Sequence, residues 1–375
     1  MAAGDLYIGL MSGTSLDGVD GVVADFAGDV PKVLAHASAP FDPALRTELM
    51  ALNTAGDNEI HRAALAANGV ARAYAGVVAD LLNACSISVL RIAAIGAHGQ
   101  TVRHQPLQFD GVGYTVQLLN ASLLAELAGI DVVADLRSRD LAAGGQGAPL
   151  APAFHQAVFG RSGEPLAVLN LGGISNLSVL PGAGGQESGI VGFDCGPGNA
   201  LLDYWCQQHR GQPFDADGAW AASGSVIPDL LVSLFAEPYL AKVPPKSTGR
   251  DLFNPPWLAA HLAARTGLAP VDVQATLAQF TAQACVNDAV RRAPHAKRLV
   301  VCGGGALNGD LMRRLQAGLP SLKVESSDAH GLPPQQVEAT AFAWLAWRTL
   351  SRLPGSLASV TGARGDRVLG AIYPA

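Results

Sequence analysis

Short apolar runs that end in turns of small residues recur along this chain. The first run, Leu6 to Met11, leads into the small residues 12–15, and a second apolar stretch begins close to Gly18. Runs of this length with turn residues at their ends are typical of buried strands. The pattern predicts a β-hairpin near the beginning of the sequence.

This hairpin turn has the composition of an anion site. Gly13 and Gly18 allow the backbone to approach a ligand closely, and residues 14 and 15 add hydroxyl donors. Successive N–H groups in such a turn form a concave site for phosphate. Asp17 and Asp20 are either metal-facing carboxylates or ordinary turn residues, which are frequently Asp.

The first half continues with alternating strand and helix patterns. Apolar spacing of three and four residues predicts a long helix over residues 58–85. The further expected elements are strands at 32–38, 92–98, 114–118 and 131–134 and helices at 43–52 and 121–128.

Polar residues follow the strand expected at 92–98. Ligands in open α/β sheets sit at the carboxyl ends of strands, so Gln100 and Thr101 are candidates for contacts to a substrate hydroxyl. His98 is either part of the same site or a hydrogen-bonded histidine in a turn.

Four charges and three glycines lie between residues 135 and 149, where we expect a domain boundary. Arg137 or Arg139 can grip an anionic group with two hydrogen bonds. Alternatively, these arginines pair with Asp135 and Asp140 at the junction.

The second half repeats the opening pattern. Residues 166–171 and 174–180 are apolar strands joined by Gly172 and Gly173, which resembles the first hairpin and indicates a duplicated fold. A later strand at 298–302 leads into Gly303, Gly304 and Gly305, whose bare backbone can accommodate a flat ligand such as adenine. Helices are expected at 270–293 and 334–350. The second has small residues that suit close packing at a hinge, and we expect it to return to the first domain.

Asp194 follows the apolar residues 190–193 and precedes Gly196, Pro197 and Gly198. At the end of a strand its carboxylate should face a cleft, where an aspartate is ionised at neutral pH and can act as a base. The alternative is an N-cap for the following helix. Further on, Lys246 and Arg250 in the loop 244–254 indicate either an anion contact or an interface element.

Composition limits the class of protein. The chain has 375 residues, of which 49% are hydrophobic and 15% charged, so we expect two globular domains. A net charge of −6 without a basic block argues against nucleic acid as a partner. Five scattered cysteines, no cleavable signal and no long apolar run indicate a cytoplasmic protein without a membrane partner.

Taken together, the motifs resemble a known family. Residues 9–20 (GLMSGTSLDGVD), 98–104 (HGQTVRH), 144–149 (GGQGAP) and 245–250 (PKSTGR) are similar to those of the anhydro-N-acetylmuramic acid kinases, within the sugar kinase, Hsp70 and actin superfamily. The resemblance runs from Ile8 to about Ala346. It implies an α/β, two-domain actin-like ATPase of duplicated ribonuclease H-like fold, with ATP in the interdomain cleft. The expected domains are 1–135, joined by 334–375, and 136–333.

The resemblance also implies a reaction. With ATP and Mg²⁺, the family opens the anhydro ring of 1,6-anhydro-N-acetylmuramic acid with water and phosphorylates O6, in peptidoglycan recycling. Asp194 is then the catalytic base, Asp17 holds Mg²⁺ through water, and Gln100, Thr101, Arg137 and Asp140 are substrate-binding candidates. The ATP and phosphate contacts are expected at Gly13, Thr14, Ser15, Leu16, Asp17, Gly18, Val19, Asp20, Gly172, Gly173, Gly303, Gly304 and Gly305.

This chain departs from the family pattern at two positions, and two alternative functions remain open. The family usually has Thr where this chain has Cys195, and a more basic run where it has Ser138. The alternatives are another superfamily kinase that phosphorylates an open amino sugar directly, and a non-catalytic actin-like ATP-binding module. A homodimer is expected from the resemblance alone.

Overall fold

The computed structural model describes residues 5–13, 16–28, 30–160, 163–182, 189–249 and 252–375. Its contacts divide the chain into two units, one of Met1–Val158 with Gln336–Ala375 and one of Phe159–Gln335. Thr14, Ser15 and Arg250, which the sequence singles out, lie outside the described residues.

The first unit combines one mixed sheet with helices. Its strands are β1 (Leu6–Ser12), β2 (Gly18–Asp25), β3 (Lys32–Pro40), β4 (Ile92–Pro106), β5 (Gly113–Leu118), β6 (Val132–Ala134) and β12 (Ala371–Tyr373). Its helices are α1 (Pro43–Ala51), α2 (Glu59–Cys85), α3 (Ala121–Ala128), α4 (Ser138–Ala142), α5 (Ala151–Val158), α12 (Val337–Leu350) and α13 (Ala358–Thr361).

The second unit has the same kind of composition. Its strands are β7 (Leu166–Leu171), β8 (Ile174–Leu180), β9 (Val191–Pro197), β10 (Arg298–Cys302) and β11 (Lys323–Ser326). Its helices are α6 (Ala200–Arg210), α7 (Ala219–Ser223), α8 (Pro228–Phe235), α9 (Pro255–Leu262), α10 (Pro270–Arg292) and α11 (Gly309–Gly318).

The two sheets share one strand order. In the first, β3, β2 and β1 are antiparallel, and β4 and then β6 continue parallel to β1. In the second, β9, β8 and β7 are antiparallel, and β10 and then β11 continue parallel to β7. The repeated hairpin in the sequence therefore marks a duplicated fold, as predicted. The first sheet adds β5 beside β4 and β12 at its β6 edge.

Long helices supply most of the cover for these sheets. Tyr74, Val77 and Leu81 of α2 are fully buried in the core of the first unit. In the second unit, α10 buries Leu277 and Phe280 against the sheet. Both long helices lie where the apolar spacing predicts them.

Helix α12 packs unusually close to the first sheet. A methyl group placed on Gly9 would lie 1.8 Å from the carbonyl oxygen of Ala339, and one on Gly96 would lie 2.0 Å from that of Phe342. Only glycine permits this approach, because any side chain would overlap the helix backbone. Helix α12 groups with the first unit.

Two features differ from the sequence expectations. The strand expected at 92–98 continues to Pro106 by pairing with β5, so Gln100 and Thr101 lie inside β4 rather than after it. Residues 136–158 group with the first unit rather than the second. The physical reason is the buried Asp140, which accepts a hydrogen bond from Thr361 Oγ1 at 2.8 Å and so ties α4 to α13.

Across the ranges described above, no single helix is long and apolar enough to cross a membrane. One sharply bent pair, Ala216–Ser223 with Pro228–Phe235, meets the criteria of length and composition only.

The close contact of α12 generates a stability prediction. Gly9→Ala should destabilise the protein by about 1–3 kcal/mol or more, because the new methyl group overlaps the backbone of α12. Gly76→Ala is the matched control, since Gly76 is an exposed position of α2 with nothing within 4 Å of the added methyl group. It should leave stability unchanged or raise it by up to ~1 kcal/mol. Thermal unfolding measures both, and equal midpoints for the two variants would contradict the packing argument.

Candidate active site

The turn between β1 and β2 is closed by its own backbone. The N–H of Leu16 donates to the carbonyl of Gly13 at 3.2 Å, and Leu16 has a positive φ of 57°. The side chains of Leu16 and Val19 are buried in the core. Any ligand at this turn can therefore meet only the backbone of these two residues.

The remaining hairpin residues serve different purposes. Gly18 is a glycine for packing, because a methyl group there would lie 2.2 Å from the carbonyl oxygen of Ala39 on β3. The Asp17 carboxylate is 72% exposed and lies 3.6 Å from Arg46, whereas Asp20 lies 3.7 Å from His36. Of the residues the structure describes, no three His, Cys, Asp or Glu side chains form a metal cluster.

His98 is held from both ring nitrogens. Its Nε2 lies 2.8 Å from an Arg137 guanidinium nitrogen, which can only donate, so Nε2 accepts. The proton must then sit on Nδ1, which donates to the carbonyl of Ser12 at 3.3 Å. Burial, reinforced by the Arg137 charge, lowers the pKa of His98 to about 3. His98 is thus a neutral connector between β1 and Arg137.

Arg137 lies at the centre of this group. Its second donor bonds the carbonyl of Gly147 at 2.8 Å, and burial lowers its pKa to about 10, opposed by the charge of Glu338. Arg139 is not part of the group. It is exposed and lines a separate cavity of about 460 Å³ together with Arg352.

The other three substrate candidates, Gln100, Thr101 and Asp140, differ in their burial and in their hydrogen bonds. Gln100 is fully buried and donates to the carbonyl of Gly13 at 3.1 Å, while its Oε1 has no partner among the described residues. Thr101 accepts a hydrogen bond from Gln117 at 3.2 Å. Asp140 is fully buried, with one oxygen bonded by Thr361 and the other by the Gly147 N–H at 2.8 Å. Asp140 therefore organises the chain around Arg137, and its oxygens are already occupied.

In the second unit, Asp194 lies inside β9, opposite Asn176, rather than after the end of the strand. Its Oδ2 accepts the Thr248 N–H at 2.9 Å, and its carbonyl accepts the Tyr239 hydroxyl at 2.8 Å. Burial raises the pKa of Asp194 to about 6, against the lowering effects of Thr248 and Lys246. The capping alternative is wrong, because Asn199 holds the N-cap position of α6.

Backbone hydrogen bonds join the turn at residues 172–173 to the turn at residues 196–199, next to Asp194. The carbonyl of Gly172 accepts the N–H of Asn199 at 2.8 Å, and that of Gly173 accepts the N–H of Gly198 at 2.9 Å. Gly198 must be glycine, since a methyl group there would lie 2.3 Å from the Gly172 oxygen. Within the described residues, the N–H groups of Gly172 and Gly173 donate to no acceptor. These hydrogen bonds between the two turns therefore fix the position of the two free N–H groups of Gly172 and Gly173.

The three glycines after β10 differ in their surroundings. A methyl group on Gly303 would meet Asn170 Oδ1 at 2.4 Å, and one on Gly305 would meet the Leu171 side chain at 2.5 Å. Only Gly304 is exposed and open, which leaves it as the candidate for contact with a flat ligand. Asn170 Oδ1 is buried and lacks a partner in the part of the chain that the structure describes.

The ion pair of Lys246 with Asp288, near Asp194, is missing from the sequence expectations. The Lys246 ammonium is bonded to Asp288 of α10 at 2.9 Å, and its side chain is 1% exposed. Lys246 is therefore an internal ion pair and not the surface anion contact that its loop position indicated. No spacing in the sequence joins it to Asp288, which lies 42 residues further along.

Comparison with known proteins decides the family. The family model of anhydro-N-acetylmuramic acid kinase matches residues 5–375. The chain belongs to the anhydro-N-acetylmuramic acid kinase family. Relatives of that name from Variovorax paradoxus and Albidiferax ferrireducens are 68% and 62% identical, over 100% and 99% of this chain and 100% of each relative.

A solved structure supports the fold. The Acidaminococcus fermentans (R)-2-hydroxyglutaryl-CoA dehydratase component A superposes with a TM-score of 0.51 at 14% identity, covering 92% of this chain and 99% of its own. At that identity the likeness concerns the fold alone. Membership of the anhydro-N-acetylmuramic acid kinase family confirms the predicted α/β fold class and the enzyme class. The chain is an ATP-using kinase of cell-wall recycling.

The environment of His98 leads to a spectroscopic prediction. Because its burial and the Arg137 charge disfavour protonation, the ring signals of His98 should not move between pH 5 and pH 8. Histidine NMR spectra of the native protein, assigned by loss of one signal in His98→Asn, provide the measurement. A titration of that signal with a midpoint near ~6.5, the ordinary value, would show that the neutral connector is misassigned.

Proposed function

We propose that this kinase adds water to C1 of 1,6-anhydro-N-acetylmuramic acid, opens the bridge from C1 to O6, and transfers the γ-phosphoryl group of ATP to O6. The products are N-acetylmuramic acid 6-phosphate and ADP. The observation that carries the proposal is Asp194, a half-buried carboxylate with a pKa of about 6 in a chain of this family.

Asp194 acts as the general base in this scheme. With a pKa of about 6 it is largely ionised at pH 7, yet basic enough to take a proton from water. The water oxygen forms the new bond to C1 as the C1–O6 bond breaks, and O6 carries the released electron pair. The Thr248 N–H fixes one oxygen of Asp194, which leaves the other for the water proton.

The phosphoryl transfer step requires positioning and charge neutralisation more than covalent chemistry. O6 attacks the γ-phosphorus, and the bond from that phosphorus to the ADP oxygen breaks. We assign the free N–H groups of Gly172 and Gly173 to the phosphates, with the backbone of the β1–β2 turn, residues 13–20, as the second phosphate-binding hairpin. Gly304 offers open backbone to the adenine.

The residues present are compatible with Mg²⁺ at Asp17. Its carboxylate is exposed, and its contact with Arg46 is long, at 3.6 Å. Mg²⁺ in kinases keeps several waters and needs one or two carboxylates beside the substrate phosphates. We assign Asp17 to hold the ion through water, and the bound ion would neutralise phosphate charge.

Arg137 is the strongest candidate for the anionic side of the sugar. Its guanidinium is fixed by His98 and Gly147, so it loses little freedom when it binds a carboxylate. Gln100 and Thr101, on the same strand as His98, remain the candidates for sugar hydroxyls. Asp140 contributes by holding Gly147 in place.

We further propose a cytoplasmic homodimer that acts on small molecules alone. All five cysteines are free thiols, which suits a reducing compartment. The dimer rests on the family resemblance, and light scattering of the purified protein tests it.

Replacement of the base gives the first functional prediction. Asp194→Asn should lower turnover by about 10²–10⁴-fold, the usual contribution of a general base, while ATP binding stays intact. Asp229→Asn is the control, because Asp229 is an exposed aspartate of the same unit that pairs with Arg265. Turnover of Asp194→Asn within a few-fold of the native enzyme would remove Asp194 from the mechanism.

Product analysis tests the reaction itself. Incubation with ATP and 1,6-anhydro-N-acetylmuramic acid in ¹⁸O-water should give a product heavier by one water and one phosphoryl group, with the ¹⁸O at C1. N-acetylmuramic acid and N-acetylglucosamine serve as parallel substrates and should not be phosphorylated. Phosphorylation of these open sugars alone would assign the chain to a different sugar kinase reaction.

A further inference from the structure

The segment 246–248 runs beside the strand that carries Asp194. The Asp194 N–H donates to the carbonyl of Lys246 at 3.3 Å, and the Thr248 N–H donates to Asp194 Oδ2 at 2.9 Å. The position of Asp194, in both its backbone and its side chain, therefore depends on how this segment is held.

Lys246 anchors the segment inside the protein. Its ammonium bonds Asp288 at 2.9 Å and lies 5.4 Å from the ring centroid of Phe193 and 5.2 Å from that of Tyr239. Phe193 precedes Asp194 on β9, and the Tyr239 hydroxyl bonds the Asp194 carbonyl. The ammonium of Lys246 therefore lies against Phe193, which precedes Asp194, and against Tyr239, which bonds the Asp194 carbonyl.

A buried ion pair of this kind contributes little to stability. Taking two charges out of water carries a large desolvation cost, which their attraction seldom exceeds, and apolar replacements are frequently neutral or stabilising. Stability alone therefore gives no reason for a lysine at a position that is 1% exposed. Its place next to the base suggests a role in the reaction.

We propose that Lys246 and Asp288 are positioning residues, whose buried ion pair fixes the segment that holds Asp194 and places the Lys246 ammonium against Phe193 and Tyr239, the two residues that adjoin Asp194. The inference rests on the proposed role of Asp194 as the base. Neither residue needs to touch the substrate. The ammonium of Lys246 lies over the rings of Phe193 and Tyr239, and its charge favours the ionised form of Asp194.

Within the described residues, few other charged or titratable groups lie near Asp194. Cys195, the next residue on β9, faces Cys285 and Asp288 of α10, and Arg291 lines a cavity of about 130 Å³ with Asp288 and Cys195. The segment 238–241 contributes Tyr239, and the adjoining Glu237 is engaged by Trp257 at 3.1 Å. Arg250 and Asp251 lie outside the described residues. Of the described groups, Lys246 is the cation whose charge lowers the pKa of Asp194.

The test is the pH dependence of kcat/KM in the full-length enzyme. Activity of the native enzyme should fall below about pH 6 as Asp194 takes up a proton. Lys246→Met should move this acid limb up by about one pH unit, because the neighbouring cation is lost. Lys246→Arg keeps the charge and should leave the limb near its native position. Lys242→Met is the matched control, an exposed lysine 5.7 Å from the same Tyr239 ring, and should shift nothing.

A second variant guards against a folding defect. Lys246→Met/Asp288→Leu removes both charges, so no unpaired carboxylate stays buried, and it should fold with the acid limb still raised. Activity lost equally at every pH, with the acid limb of both variants unmoved, would overturn the inference while Asp194→Asn remains inactive. Full turnover in Asp194→Asn would instead overturn the proposed base, and this inference with it.

Discussion

Backbone-to-backbone contact at glycine is the constraint on which this architecture depends. Gly9 and Gly96 bring α12 against β1 and β4 at distances that no side chain allows. Gly18 does the same for β2 and β3, and Gly198 for the two turns beside Asp194. The chain has 43 glycines, and those of its motifs are explained first by packing. Ligand contact is then left to the positions that packing keeps open, such as Gly304.

The two units share one strand order but differ in the candidate residues that they carry. In each unit a hairpin with a small-residue turn precedes a parallel strand. In the first unit His98 fixes the guanidinium of Arg137, a group whose chemistry suits the recognition of an anion. The second unit places a carboxylate with a raised pKa beside turns with free N–H groups, which suits proton transfer next to phosphate. The shared strand order thus carries different side-chain chemistry in the two units.

Burial has opposite effects on the two central titratable groups. It lowers the pKa of His98 and raises that of Asp194, because in both cases it disfavours the charged form. For His98 the result is a hydrogen-bond connector that stays neutral through the physiological range. For Asp194 the result is a stronger base that is still ionised at pH 7, and Lys246 limits how far its pKa rises. The same burial therefore has opposite effects on the two pKa values, because His98 is charged when protonated and Asp194 is charged when deprotonated.

The sequence by itself determined the order of elements, the duplication and the family, because apolar periodicity, glycine turns and motif spacing are local properties. Helices α2, α3 and α10 lie within a residue or so of their expected bounds, and Asp194 was identifiable from its motif. Tertiary structure alone decided what each candidate touches. Asp140 has an acidic side chain close in sequence to a candidate arginine, yet its carboxyl group accepts a hydrogen bond from Thr361, 221 positions away. Lys246 belongs to a polar loop, yet its side chain is buried and its ammonium pairs with Asp288. Such pairs depend on long-range packing, in which distant segments meet only after folding, and no spacing along the chain encodes them.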